Sequence, residues 1–150
     1  MIKIICVGKI KEKFFKEALE EYKKRLTRYT KIEIIEVLDS SIENIELCLE
    51  QEKNSISKYI NDKDYLIALD IHGKEFTSVE LSQHIENTLI KNSNITFIIG
   101  GSNGISTEIK DKCHLISFSK LTFPHQLFRI ILLEQIYRSF KIINNESYHK

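Results

Sequence analysis

Ile95-Thr96-Phe97-Ile98-Ile99-Gly100-Gly101-Ser102-Asn103-Gly104 decides the fold. Its first half is a short run rich in β-branched and aromatic residues, which suits a strand covered on both faces, and the glycines that follow end it. Three of the five glycines of the chain fall in this loop. Without side chains they let the backbone approach a ligand closely and tolerate positive φ. Amides in such a loop can also face an acceptor at the start of the next helix. The spacing Gly100-Gly101-x-x-Gly104 is not GxGxxG, and the turn after the first strand offers only Gly8, which argues against a dinucleotide site. By itself the loop reads equally well as a tight turn.

Outward from this strand, short apolar runs alternate with amphipathic stretches. Ile2 to Val7, Ile32 to Val37, Tyr65 to Leu69 and His114 to Phe118 read as further strands. Glu12 to Tyr29, Ile42 to Ile60, Val79 to Ile90 and Pro124 to Ile143 read as helices, with a short turn or helix after Gly104. The alternation predicts an α/β fold, a mostly parallel sheet flanked by helices. In such sheets ligands bind beyond the carboxyl ends of the strands, which singles out the loops Asp70 to Lys74, Gly100 to Ser106 and Phe118 to His125.

A chain of 150 residues with 42% hydrophobic content supports one core, so a single domain over 1–150 is expected. The apolar run Ile4 to Val7 is far too short to span a membrane and lacks a cleavage-site pattern, which points to a soluble, cytoplasmic protein. Cys6, Cys48 and Cys113 are odd in number and widely spaced, so they offer neither a disulfide framework nor a zinc motif. His72, His84 and His114 show no metal-ligand spacing with them, and no metal is expected. The net charge of +1 hides a segregation: Lys9 to Lys31 holds nine basic and four acidic residues, and Phe118 to Lys150 five and two. Ile32 to Ile90 holds four basic and thirteen acidic residues. The two basic segments form one positive surface, suited to phosphate-bearing partners, if the fold brings the chain ends together. The plainer reading makes the lysines of the first helix a solvated face.

Pro124 suits the first position of the last helix, where its missing N–H is not needed, with Thr122 as a nearby cap. Apolar residues from Leu127 to Phe140 cover almost the whole circumference of that helix, which predicts burial on all sides and a homodimer with the helix at the interface. Arg129 interrupts that surface and needs an anion or an acidic partner such as Glu134 across the dimer. At the chain end, Tyr148 and His149 could stack on an unpaired base, and Lys150 could meet a phosphate. His149 is a candidate proton acceptor, and His125 competes for that role. A frayed terminus is the ordinary alternative.

The strings Leu69-Asp70-Ile71-His72-Gly73-Lys74, Phe97-Ile98-Ile99-Gly100-Gly101-Ser102-Asn103-Gly104, Leu121-Thr122-Phe123-Pro124-His125-Gln126-Leu127 and the terminal Tyr148-His149-Lys150 resemble those of the ribosomal RNA large subunit methyltransferase H family. The resemblance runs over the whole chain in length and element order. It implies a SPOUT-type fold with a C-terminal trefoil knot, although general rules argue against knots. It also implies S-adenosylmethionine as cofactor, N3 of a pseudouridine in the 23S ribosomal RNA of the ribosome as target, and a homodimer with the site at the interface. Carried over by motif, the cofactor pocket includes Leu69, Gly101, Phe118, Ser119, Lys120, Leu121, Thr122 and Phe123. For Leu69 and Phe123 the alternative is core packing. His149 or Tyr148 would orient the base or accept its proton, and Arg129 and Arg138 would hold phosphate or developing negative charge. Lys150 would join Arg138 on the RNA. The competing classes are a non-catalytic RNA-binding or ribosome-associated α/β module, and a nucleotide-binding enzyme that would lack the Lys and Ser/Thr of a P-loop.

Overall fold

Period-2 burial along the strands divides the core into two layers around one sheet. The computed structural model describes every residue from Met1 to Lys150. In chain order the elements are β1 (Ile2–Val7), α1 (Lys13–Leu26), β2 (Ile32–Val37), α2 (Ile45–Ser57), β3 (Tyr65–Glu75), α3 (Ser78–Lys91), β4 (Ile95–Ile99), α4 (Thr107–Lys110), β5 (His114–Ser117) and α5 (His125–Ile143). All strand pairs are parallel, in the order β2-β1-β4-β3-β5. Ile4, Cys6, Ile67, Leu69, Phe97, Ile99 and Ile116 point to one face and meet Leu19 and Leu26 of α1, Leu81 and Ile85 of α3, and Leu132, Leu133, Ile136 and Phe140 of α5. Ile5, Val7, Val37, Ala68 and Ile98 point to the other, against Ile56 of α2, Ile109 of α4 and the nearby Ile105. Each fully buried Leu or Ile contributes about 1.5–3 kcal/mol by leaving water, so α5, with Leu132, Leu133, Ile136 and Phe140, is the largest anchor among the helices. No helix is long and apolar enough to cross a membrane.

The expected elements are all present, with shifted ends. Helix α2 begins at Ile45 because the Asn44 side chain accepts a hydrogen bond from the Leu47 amide and caps it there. Helix α5 begins at His125, one residue later than expected, with Pro124 in the capping position at ψ 133° and no cap from Thr122. The larger difference is β3, which runs on to Glu75. After Leu69 pairs with Ile116 the ladder slips, Asp70 to Gly73 bulge out, and Lys74 rejoins the same Ile116. A strand that leaves and re-enters its ladder has no alternating signature, which is why the hydrophobic run ended at Leu69.

Helix α5 is covered within its own chain by α1 on one side and α3 on the other. Leu127, Ile130, Ile131, Ile142 and Ile143 stay half-buried, so part of its apolar circumference has no complete cover in one chain. The packing of α1 on α5 brings the two basic segments together, as Lys141 and Arg28 both reaching Glu146 makes explicit.

Candidate active site

The bulge of β3 and the loops that follow β4 and β5 border a cavity of about 710 Å³, within the usual size of small-molecule and cofactor sites. The expected residues Leu69, Gly101, Phe118, Ser119, Leu121, Thr122 and Phe123 all line it. Lys120 does not line it and is exposed to solvent. The wall also includes Asp70, Gly100, Ser102 and His125, which lie in the three loops singled out from the sequence, and Ile99, Ile116, Ser117 and Phe128, which that reading missed. Ile99 and Ile116 could have been found from strand parity, because each ends a strand whose loop was already implicated. Phe128 could have been found as the residue one helical turn after His125.

The walls are braced before any ligand arrives. Phe123 stacks on Phe128 with centroids 5.8 Å apart, and Phe118 meets Phe128 edge-on at 5.4 Å. Ser117 Oγ donates to the Ser119 carbonyl at 3.0 Å, and the Leu121 amide donates to Ser119 Oγ at 2.9 Å, which fixes the loop after β5. In the glycine loop the Gly104 amide closes a turn onto the Gly101 carbonyl at 3.0 Å. A Cβ on Gly100 would lie 2.4 Å from the Gly104 carbonyl oxygen, so only glycine fits there. A Cβ on Gly101 would point to Val7 and the buried Glu52 behind the loop, at 3.0 Å from Val7 Cγ1.

The electrostatics of the cavity are unusual for a phosphate site, since its wall contains no Lys or Arg. Its one carboxylate, Asp70, accepts from the His72 amide at 2.8 Å and from Lys110 Nζ at 3.2 Å. Burial alone would raise the Asp70 carboxyl, and these partners outweigh it and hold the group below the ordinary carboxylate range. Aromatic walls suit a flat heteroaromatic ring, and with Lys110 held outside the wall on Asp70 no Lys or Arg of the wall repels a positively charged centre attached to that ring. That is the chemistry of S-adenosylmethionine, and the residues fit it. No group of three or more His, Cys, Asp and Glu side chains is arranged to hold a metal ion.

Other expected site residues are placed differently. Arg129 is buried inside its own chain, where Nη2 donates to the Val7 and Gly8 carbonyls at 2.9 and 2.7 Å and Nη1 lies 3.5 Å from Glu36. It therefore ties α5 to the end of β1 instead of meeting a phosphate or base, and its acidic partner is Glu36, not Glu134. Glu134 belongs to Arg138, four residues on, and the Tyr148 hydroxyl donates to the same carboxylate at 3.1 Å. Burial, then the Glu134 carboxylate, push the Tyr148 phenol up to about 12, so Tyr148 is protonated at neutral pH and is no proton acceptor. His149 is exposed, with Nδ1 3.2 Å from Arg138 Nη1. Arginine can only donate, so Nδ1 accepts and, in the neutral ring, Nε2 carries the proton. Lys150 is exposed.

The tail thus folds onto the middle of α5. Glu134 is nine residues beyond His125, a rise of roughly 13 Å at 1.5 Å per residue, and none of the last three residues lines the cavity of its own chain.

Comparison with known proteins agrees with this geometry. Residues 1–149 match the family described as Predicted SPOUT methyltransferase. Proteins named "Ribosomal RNA large subunit methyltransferase H" are 51% identical in Caldicellulosiruptor saccharolyticus, with all of both chains covered, and 52% identical in Clostridium botulinum strain Hall, with 99% of each covered. A protein of that name in Streptococcus uberis is 53% identical, again over 99% of each chain. Among solved structures, a probable methylase family protein from Haemophilus influenzae Rd KW20 shares the fold at a TM-score of 0.63 and 13% identity, over 99% of this chain and 70% of that one. The chain is a methyltransferase and belongs to the SPOUT family, in the group that carries the name ribosomal RNA large subunit methyltransferase H.

Proposed function

We propose that this enzyme binds S-adenosylmethionine in the cavity and methylates N3 of a pseudouridine in 23S ribosomal RNA, in the cytoplasm, as a homodimer. The observation that carries the cofactor assignment is the cavity wall: three carboxyl-end loops, aromatic and aliphatic cover, one ionised carboxylate and no cation. Bound there, the cofactor supplies a methyl group already activated by its sulfonium charge. The chain then has to position the accepting nitrogen and keep water out. Leu69, Ile116, Leu121 and Phe123 would cover the adenine, and the backbone of Gly100, Gly101 and Ser117 to Thr122 would meet its edge and the ribose. The trefoil knot belongs to this proposal, with the β3 extension and the Phe118 to Phe123 loop as the crossing segments.

In the same proposal the tail serves the cavity of a second copy, and the half-covered apolar strip of α5 is the surface for that copy. Tyr148 has an orienting role only. His149 accepts the N3 proton once Arg138 releases Nδ1, and Arg138 and Lys150 steady the RNA. Calorimetric titration with S-adenosylmethionine tests the pocket: the parent binds, and Gly101→Val, which drives a side chain into Val7 and Glu52, loses at least tenfold in affinity. Truncation of Tyr148 to Lys150 tests the tail. Cofactor binding is retained and methyl transfer to ribosomal large subunits falls by at least a hundredfold. A folded, dimeric parent without cofactor affinity would refute the reading.

A further inference from the structure

We propose that the segment Gly8 to Lys16 is a lip that grips RNA beside the cofactor cavity, with Lys9, Lys11 and Lys16 on phosphates and Phe14 against an unpaired base. This rests on the rRNA methyltransferase reading above and names the part of the chain that holds the substrate.

Two ties place the segment at the cavity. The Lys11 amide donates to Gln126 Oε1 at 3.1 Å, one residue beyond the cavity residue His125. A Cβ on Gly8 would lie 3.6 Å from His125 Nε2, so the start of the segment passes over the same residue. Ile10, buried at 6% exposure, pins the backbone between them. The lip is therefore fixed in place and turns its polar side chains outward.

Its charges differ from the rest of the basic surface. Farther along, Lys23 sits on Glu20, Arg25 on Glu21, Arg28 and Lys141 on Glu146, and Arg138 on Glu134, while Lys24, Lys31 and Lys150 have no ion pair. Lys9, Lys11 and Lys16 are exposed and make no ion pair, and Lys13 has one contact, to Glu17, at 3.7 Å with its side chain 90% exposed. A pair so exposed is worth little and is released readily. Most cations farther along are thus neutralised by a neighbour, whereas Lys9, Lys11 and Lys16 stand free together beside the cavity. Such an arrangement favours a polyanion at the lip.

Phe14 adds a second chemistry. It is 60% exposed, while its neighbour Phe15 packs against the core and meets it with centroids 4.4 Å apart. Phe15 meets the needs of the core, and Phe14 is held out by it. A fixed aromatic face among unpaired lysines matches a single-stranded or looped nucleic acid, where bases stack and phosphates follow the cations. An acidic peptide would use the lysines and leave the aromatic ring without a stacking partner.

The test compares full-length parent, the triple variant Lys9→Ala/Lys11→Ala/Lys16→Ala, and Phe14→Ala. Each is assayed for S-adenosylmethionine affinity, for binding to unmodified large ribosomal subunits over a range of salt, and for methyl transfer. The triple variant is expected to keep cofactor affinity within twofold, raise KM for the subunit at least tenfold with kcat little changed, and flatten the log–log salt slope by about 2, the loss expected for three phosphate contacts. Phe14→Ala is expected to raise KM about fivefold with the salt slope unchanged. Parent values of KM and salt slope in the triple variant overturn the lip. A Phe14→Ala protein that changes oligomeric state in sedimentation also overturns it, because Phe14 would then be covered by a second copy. A parent that binds subunits but transfers no methyl group refutes the activity reading alone, and the binding slopes still decide the lip.

Discussion

The two ends of the sheet treat buried polar groups in opposite ways. At the amino end Asp64 accepts from Thr96 Oγ1 at 2.8 Å and Asn94 Nδ2 at 3.0 Å, with Lys3 Nζ at 3.6 Å. The Met1 ammonium donates to the Ser93 carbonyl and the Ile95 amide to the Met1 carbonyl, so the strand starts are knitted together. At the carboxyl end, Glu52 Oε2 and Arg129 Nε and Nη1 are buried without a hydrogen-bond partner, the β3–β5 ladder slips, and the cavity opens. Away from the carboxyl end two atoms share that state: Arg138 Nε, midway along α5, and His84 Nε2 near Tyr65, on a ring whose pKa is lowered by burial. Unsatisfied buried groups cost about 1–3 kcal/mol each. The network at the amino end stabilises the scaffold, and the carboxyl end leaves buried polar groups unsatisfied beside the cavity.

The largest expected effect breaks the comparison at the carboxyl end. Gly100→Ala places a methyl group 2.4 Å from the Gly104 carbonyl oxygen, which is backbone and cannot rotate away. Cofactor affinity should fall at least a hundredfold in calorimetry, about 3 kcal/mol, while circular dichroism keeps the spectrum of the parent. Equal affinities would remove the glycine loop from the site. Asp64→Ala is the counterpart at the other end. It strands Thr96 and Asn94 and removes the counter-ion of Lys3, so urea unfolding should show a loss of about 3 kcal/mol. Cofactor affinity of the folded fraction should stay within twofold of the parent. If affinity falls as far as stability does, the two ends are not separable.

Titration sharpens the same contrast. Burial alone would raise the Asp64 carboxyl, but the bonds from Thr96 and Asn94 together with Lys3 outweigh it and hold the group below its ordinary value. A depressed folded value means stability that is present above the ordinary carboxylate pKa of about 4 and is lost as pH falls through the folded one. Thermal melts of Asp64→Asn should therefore lie well below the parent at pH 7, and the gap should narrow as pH falls below the ordinary carboxylate value. A gap independent of pH would mean that shape, not charge, holds the corner.

Much of this was legible in the sequence, for physical reasons that can be named. The parallel α/β order followed from short β-branched runs separated by amphipathic stretches, and the loops of the cavity followed from the rule about carboxyl ends. Seven of the eight residues expected in the pocket line it. Lys120 was carried in as part of a contiguous run, and in a loop adjacent residues point in different directions. Arg129 was misread because its partners, the Val7 and Gly8 carbonyls, are backbone groups more than 120 residues away, which no side-chain pattern reveals. The upward shift of Tyr148 comes first from burial and then from Glu134, fourteen residues back, and neither shows in the tail sequence alone. The β3 extension was invisible because its register slips.

Glu52 gives the smallest effect and the most specific one. It is 3% exposed, its Oε1 accepts from the Ser40 amide at 3.2 Å, and its Oε2 has nothing. Burial dominates and raises its pKa, so the folded chain holds this proton more tightly than the unfolded chain does. As pH rises through the ordinary glutamate value the unfolded state ionises first, and the fold loses stability until Glu52 itself ionises. Glu52→Gln keeps the acceptor for Ser40 and removes the charge. The variant should melt a few degrees above the parent at pH 8, and the advantage should vanish near pH 4, where both states of the parent carry the proton. Its cofactor affinity should stay within twofold of the parent, because Glu52 lies behind Gly101 and not on the cavity wall. A variant less stable than the parent at pH 8 would mean that an ionised Glu52 has a partner at the carboxyl end, and the asymmetry between the two ends would then rest on Arg129 alone.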